Sequence, residues 1–154
     1  MARIARDDAL RIESLRTLKF AVSDCDASLA FYEKVFGAER IPQADHKNAD
    51  GKIYAYICRI EGLGTLLDLR LLPTHAKAAA RMDVISLAVP ARANLEAWVA
   101  HLDAVGARHS GIIPTRLSFC IVVEDPDGRF IKLFAREGHG PEIPGNMEND
   151  WFRN

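Results

Sequence analysis

The sequence predicts an α+β fold built from two tandem βαβββ modules. Three observations predict it. A strand-like alternation, a turn and an amphipathic helix follow one another twice along the chain. Each helix pattern stops at a glycine, Gly37 and then Gly106. The spacing is also kept: Val22 and Val89, which end the leading strands, lie 67 positions apart, and the two glycines lie 69 apart. Such self-similarity marks an internal repeat.

Taken in order, residues 1–15 are polar and read as a tail or a short docking helix. Leu15 to Val22 alternates Leu18, Phe20 and Val22 with Thr17, Lys19 and Ala21, as a half-buried strand does. Ser23-Asp24-Cys25-Asp26 supplies helix-capping residues, and Asp26 to Phe36 is a helix with Leu29, Tyr32 and Phe36 on one stripe. Ile53 to Ile60 and Thr65 to Leu72 are strands around the turn Glu61-Gly62-Leu63-Gly64. Thr74 to Arg81 reads as a linker with one helical turn. The second module repeats the plan. Val84 to Val89 is a strand, and Ala91 to Val105 is a helix striped by Leu95, Trp98, Val99, Leu102 and Val105. Leu117 to Val123 and Arg129 to Phe134 are strands joined by Asp125-Pro126-Asp127-Gly128. Residues 16–135 therefore form one domain, with modules at about 16–72 and 83–135, and residues 136–154 are a C-terminal tail.

Composition narrows the function. In 154 residues, 20 Lys and Arg stand against 21 Asp and Glu, and 49% of the chain is apolar. That fits a globular core and argues against a nucleic acid or an anionic membrane recognised by bulk charge. No run reaches the roughly 20 apolar residues of a transmembrane helix, and no signal-peptide core opens the chain. Three scattered cysteines, Cys25, Cys58 and Cys120, suit a reducing cytoplasm better than a disulfide framework.

Two segments carry a family resemblance. Val22-Ser23-Asp24, Ser28, Phe31-Tyr32 and Gly37 resemble the opening strand and helix of the vicinal oxygen chelate superfamily. Glu124 to Gly128, followed by Ile131 and Leu133-Phe134, resembles its final hairpin. This is the group of glyoxalase I, extradiol dioxygenases, fosfomycin-resistance enzymes and bleomycin-resistance proteins. The resemblance implies paired modules curled into a cup over a ligand, and usually a homodimer.

It also implies four metal-ligand positions, which fall here on Thr17, Asp68, Val84 (beside Asp83) and Lys132. Only Asp68 is a credible ligand. Val84 has no donor atom, and a lysine ammonium stands where the family places an anion. The five histidines, His46, His75, His101, His109 and His139, fall in loops, on the second helix or in the tail and read as surface residues. No metal or other cofactor is expected. If family ligands converge on one point, Lys132 should instead pair with Asp68. Such a pair is either a structural ion pair in a redundant site, or an anchor or proton-transfer group for a ligand.

Strand alternation from these positions assigns the cup lining. Thr17 brings Lys19 inward, Asp68 brings Arg70, Val84 brings Ser86, and Lys132 brings Phe130 and Phe134. Ser118 and Cys120 follow across the hairpin, and Tyr54, Tyr56 and Cys58 are chosen over the alternate positions of their strand. This mixture suits a flat, oxygenated or anionic small molecule. The leading expectation is a metal-independent binding or resistance protein. The alternative is a metal-free lyase, isomerase or cyclase using Lys132 and Asp68 as acid and base. A divalent-metal glyoxalase or dioxygenase is the third. Trp151-Phe152 in the tail either cap the cup, clasp a partner subunit or hang free.

Overall fold

The computed structural model describes residues 10–153. The first sheet orders its strands β1 (Thr17–Val22), β5 (Leu66–Leu71), β4 (Ile53–Arg59) and β2 (Glu39–Arg40), with β3 (His46–Lys47) pairing against β4. The second is ordered β6 (Asp83–Val89), β9 (Phe130–Ala135), β8 (Phe119–Glu124) and β7 (Ile113–Pro114). In each, the leading strand runs parallel to the closing strand, and the other pairings are antiparallel. Helix α1 (Cys25–Phe36) belongs to the first module and α3 (Arg92–Val105) to the second; the short α2 (Pro73–Ala78) joins them. The repeat is therefore a true structural duplication. The linker is a helix of 6 residues rather than a single turn, and the two-residue strands β2, β3 and β7 escape the sequence pattern because nothing so short has a period.

Local chemistry sets the helix ends. The Asp24 carboxylate accepts from the backbone N–H groups of Asp26 (2.9 Å) and Ala27 (3.0 Å), so two otherwise orphaned donors are satisfied. Gly37 and Gly106 close the helices at φ 64° and 70°, where any side chain would be strained.

The helix-side faces of both sheets share the core. Phe20, Val22, Tyr32, Cys58, Leu67 and Leu69 cluster with Ile131 of the second module. Val35 of α1 joins Leu95, Leu102, Ile121, Val123 and Leu133. Phe31 and Phe36 of α1 and Leu87 of β6 touch both clusters.

The turn at residues 125–128 ties the modules together. Buried Asp125 accepts from the Arg129 guanidinium at 2.7 Å and the Tyr32 hydroxyl at 2.9 Å. Arg129, equally buried, also donates to the Ala21 carbonyl, and Asp127 accepts from the Ser23 N–H and hydroxyl. Burial pushes the Asp125 carboxyl up, against the pull of Arg129 and its hydrogen bonds, and pushes the Tyr32 phenol well up. Among the described residues, no helix is long and apolar enough to cross a membrane.

Candidate functional site

Each module presents its other face to a separate cavity, and the two share no lining residue. The first, about 640 Å³, lies against β1, β4 and β5 and is bordered by Arg16, Thr17, Lys19, His46, Ile57 and Asp68. Parallel pairing sets Lys19 beside Asp68, and Arg70 follows two residues along the same face. The Asp68 side chain is fully buried. Its Oδ2 accepts from Arg70 Nη2 at 2.7 Å, while its Oδ1 has no hydrogen-bond partner among the described residues.

His46 completes this cluster. Its Nδ1 lies 3.0 Å from Arg70 Nη2 and 3.9 Å from Asp68 Oδ2. A guanidinium can only donate, so Nδ1 accepts and the ring proton sits on Nε2. The sequence pattern puts His46 on the surface, because a two-residue strand has no period. Antiparallel pairing of His46 with Ala55 brings it to the Asp68 face.

The structure corrects the assignment of β4. Ile57 stands opposite Asp68 and Ala55 opposite Arg70, and directly paired residues share a face. Tyr56 and Cys58 therefore point to the helix side. The Tyr56 hydroxyl donates to Asp26 Oδ1 at 2.7 Å, and its ring lies 3.6 Å beneath the Arg40 guanidinium. Cys58 is buried in the core, its thiol pushed up to about 11 by burial. Tyr54 is re-aimed by a bulge, since β3 pairs with Ala55 and then with Ile53. Its ring sits 5.9 Å from that of His46 and 5.4 Å from the Arg70 guanidinium carbon.

A second bulge changes the other module. Asp83 pairs with Phe130 and Ile85 with Ile131, which leaves Val84 as the extra residue. Asp83, not Val84, takes the cup-side position, and Val84 packs against the core. The Lys132 ammonium pairs with the Asp83 carboxylate. The expected Lys132–Asp68 pair is not formed within the chain, because Asp68 is held by Arg70 on its own sheet. Ser86 stands beside Lys132 in register and is exposed.

The tail covers this second face. Trp151 and Phe152 pack on a buried patch of Ile113, Cys120, Val122 and Phe130, leaving a cavity of about 340 Å³ that Phe134 also borders. Within the chain these aromatics pack on the second sheet and do not hang free. Two expected ligand contacts are spent here. The Ser118 hydroxyl is engaged by the backbone carbonyls of Ala135 (2.8 Å) and Glu137. Cys120 is fully buried, and its thiol is pushed up to about 11 by burial.

Among the described residues, no group of three or more His, Cys, Asp or Glu side chains could hold a metal ion. The four family positions do not fit a divalent cation either. They supply one hydroxyl, one carboxylate already held by an arginine, a bulged valine and an ammonium.

A family model described as the Glyoxalase/Bleomycin resistance protein/Dioxygenase superfamily matches residues 14–133. The chain belongs to that superfamily. Among solved structures it is similar to TnmS3, an antibiotic binding protein from Streptomyces sp. CB03234, at 22% identity and TM-score 0.66, over 83% of this chain and 99% of that one. It is similar to the fosfomycin resistance protein FosX from Listeria monocytogenes at 16% identity and TM-score 0.64, covering 82% and 96%. A glyoxylase/bleomycin resistance protein/dioxygenase domain from Frankia sp. EAN1pec gives 14% and 0.64, covering 81% and 98%. At these identities the likeness establishes the fold alone. No curated protein sequence matches the chain.

Proposed function

We propose that this protein binds a small, oxygenated, anionic organic molecule without a metal, in the manner of a binding or resistance protein, at the cavity beside β1 and β5. The observation that carries this reading is Asp68. A fully buried carboxylate with one unpartnered oxygen is costly, and the cost is recovered if a ligand donates to it. Lys19 and Arg16 border the same cavity, and Arg70 adjoins it, so cations outnumber the single carboxylate. Tyr54, beside His46 and Arg70, offers an aromatic edge. The cavity is open on one side, and a second copy of the chain closing it would make the working form a homodimer. Three free thiols fit a reducing cytoplasm.

The test is thermal unfolding with 4-hydroxybenzoate and 6-hydroxy-2-naphthoate as probes, whose phenol can donate to Asp68 while the carboxylate meets Lys19 or Arg70. Stabilisation should survive a chelator and disappear in Lys19→Met and Arg70→Leu, with the probe recovered unchanged. Stabilisation that requires added divalent metal, or that persists in both variants, would overturn the reading. The second reading, a metal-free lyase, isomerase or cyclase, is favoured by the same free Oδ1, which can accept a substrate proton. It predicts conversion of an acidic carbonyl substrate that is lost in Asp68→Asn.

A further inference from the structure

We infer that His46 is a positioning residue. Its Nδ1 holds the Arg70 guanidinium off the second oxygen of Asp68 and so keeps that oxygen free to select a hydroxyl-bearing ligand. The ligand half of this inference rests on the function proposed above; the hold of His46 on the ion pair does not.

Two unmet groups lie on one ion pair. Arg70 and Asp68 share a single hydrogen bond, from Nη2 to Oδ2 at 2.7 Å. Asp68 Oδ1 and Arg70 Nε are both buried, and neither has a partner among the described residues. One is an acceptor and the other a donor. A guanidinium presents Nε and Nη2 as a fork that matches the two oxygens of a carboxylate, so squaring Arg70 onto Asp68 would satisfy both orphans at once. Another arginine in the same sheet uses both prongs: Arg40 gives its Nε, at 3.0 Å, and its Nη2 to Asp45.

His46 accounts for the difference. Arg70 Nη2 also lies 3.0 Å from His46 Nδ1, so one nitrogen is divided between two acceptors and the fork is turned away from the carboxylate. The sheet register fixes this. His46 pairs with Ala55 and Ala55 with Arg70, so the two long side chains meet over a small, buried alanine. His46 is also held from behind. The side chain of Asp45, 1% exposed, accepts from Arg40 and from the Ile57 N–H at 3.1 Å. The Tyr54 ring closes the other side, 5.4 Å from the Arg70 guanidinium carbon.

Selectivity follows from the atom left over. With Arg70 held by His46, Asp68 Oδ1 still needs a donor, which a hydroxyl or phenol supplies and a plain carboxylate does not. Without the acceptor at position 46, Arg70 closes both prongs on Asp68 and Oδ1 is spent within the chain. His46 thereby sets the preference for hydroxylated acids without having to touch them.

The first test needs no ligand. In a crystal structure of His46→Phe, which keeps a ring beside Tyr54 but has no acceptor, Arg70 Nε should lie within hydrogen-bond distance of Asp68. The Arg70 Nε–H should also exchange with water at least tenfold more slowly by NMR, and the variant should melt no lower than the parent. His46→Asn, whose amide oxygen can replace Nδ1 as acceptor, should keep the single bond. Calorimetric titration with 4-hydroxybenzoate and benzoate then reads selectivity. His46→Phe should weaken the hydroxylated acid at least tenfold and benzoate less than threefold, and His46→Asn should restore the first to within threefold. An Arg70 that stays singly bonded in His46→Phe would overturn the inference whatever binds, and equal losses of both acids would overturn the role in selectivity. A squared Arg70 in His46→Phe, in a protein whose parent binds neither acid, would sustain the hold of His46 and overturn the proposed function alone.

Discussion

Asp125 should be the residue whose removal most weakens this fold. Its Oδ2 takes the Arg129 guanidinium and the Tyr32 hydroxyl, while its Oδ1 takes the backbone N–H groups of Asp127 and Arg129, both at 2.9 Å. Arg129 is 1% exposed, so Asp125→Ala strands a guanidinium that water cannot reach. Breaking a buried pair from one side costs about 3–5 kcal/mol, a large share of a typical domain stability of about 5–15 kcal/mol. Tyr32→Phe removes one hydrogen bond to a charged group and should cost about 1.5–3 kcal/mol. Because Tyr32 acts on Asp125, the double variant should cost less than the sum of the singles by about 1–2 kcal/mol. Urea unfolding followed by tryptophan fluorescence measures all three, provided the slope against urea is unchanged. If Asp125→Ala does not fold, Asp125→Asn paired with Tyr32→Phe gives the same cycle. A cost below about 1 kcal/mol for Asp125→Ala, or strict additivity, would refute the tie between modules.

Three further outcomes concern the thiols and the cap of α1. Cys58 and Cys120, pushed up to about 11 by burial, should carry roughly one thiolate per thousand at pH 8. A thiol reagent should then titrate only Cys25 in the native protein and all three cysteines in denaturant. The same shift has a pH sign. An unfolded thiol ionises near pH 8.5 and these do so near 11, so their contribution to stability is intact below about 8.5 and is lost as pH rises through 11. Unfolding midpoints measured from pH 8 to 11 should fall, and less so in Cys58→Ala/Cys120→Ala relative to its own neutral value. Asp24→Ala should cost about 1 kcal/mol by uncapping α1, readable by urea titration.

Much of this was legible in the sequence because it depends on period and punctuation. The leading strands, both helices and their glycine stops lie within two residues of where the sequence pattern puts them, since Leu18, Phe20 and Val22 or Leu95 and Leu102 can be buried in only one way. The cup lining was harder. Thr17, Lys19 and Asp68 share the first cavity as expected, but the alternation from Tyr54 to Cys58 has apolar side chains in both phases. Only the pairing of Ile57 with Asp68 decides between them. Two single-residue bulges then moved Tyr54 and Asp83, and a bulge leaves no mark in hydrophobic period. His46 escapes the sequence pattern because its two-residue strand has no period, although its partner Ala55 is only nine positions on. The packing of Trp151 and Phe152 escapes it because their docking depends on a surface patch that exists only after the second sheet has formed.

The tie at residues 125–129 also bears on how the chain matures during synthesis. Tyr32, the Ala21 carbonyl and the Ser23 N–H all lie in the first module, yet their partners are Asp125, Arg129 and Asp127. Ile131 likewise completes the core around Phe20. Domains usually consolidate from the N-terminus as they emerge from the ribosome. Here the first module, complete at about residue 72, keeps one corner unmet until more than fifty further residues have been made. Nascent chains halted before residue 125 should therefore stay open to protease near the turn at 23–25, and those extended past 135 should not.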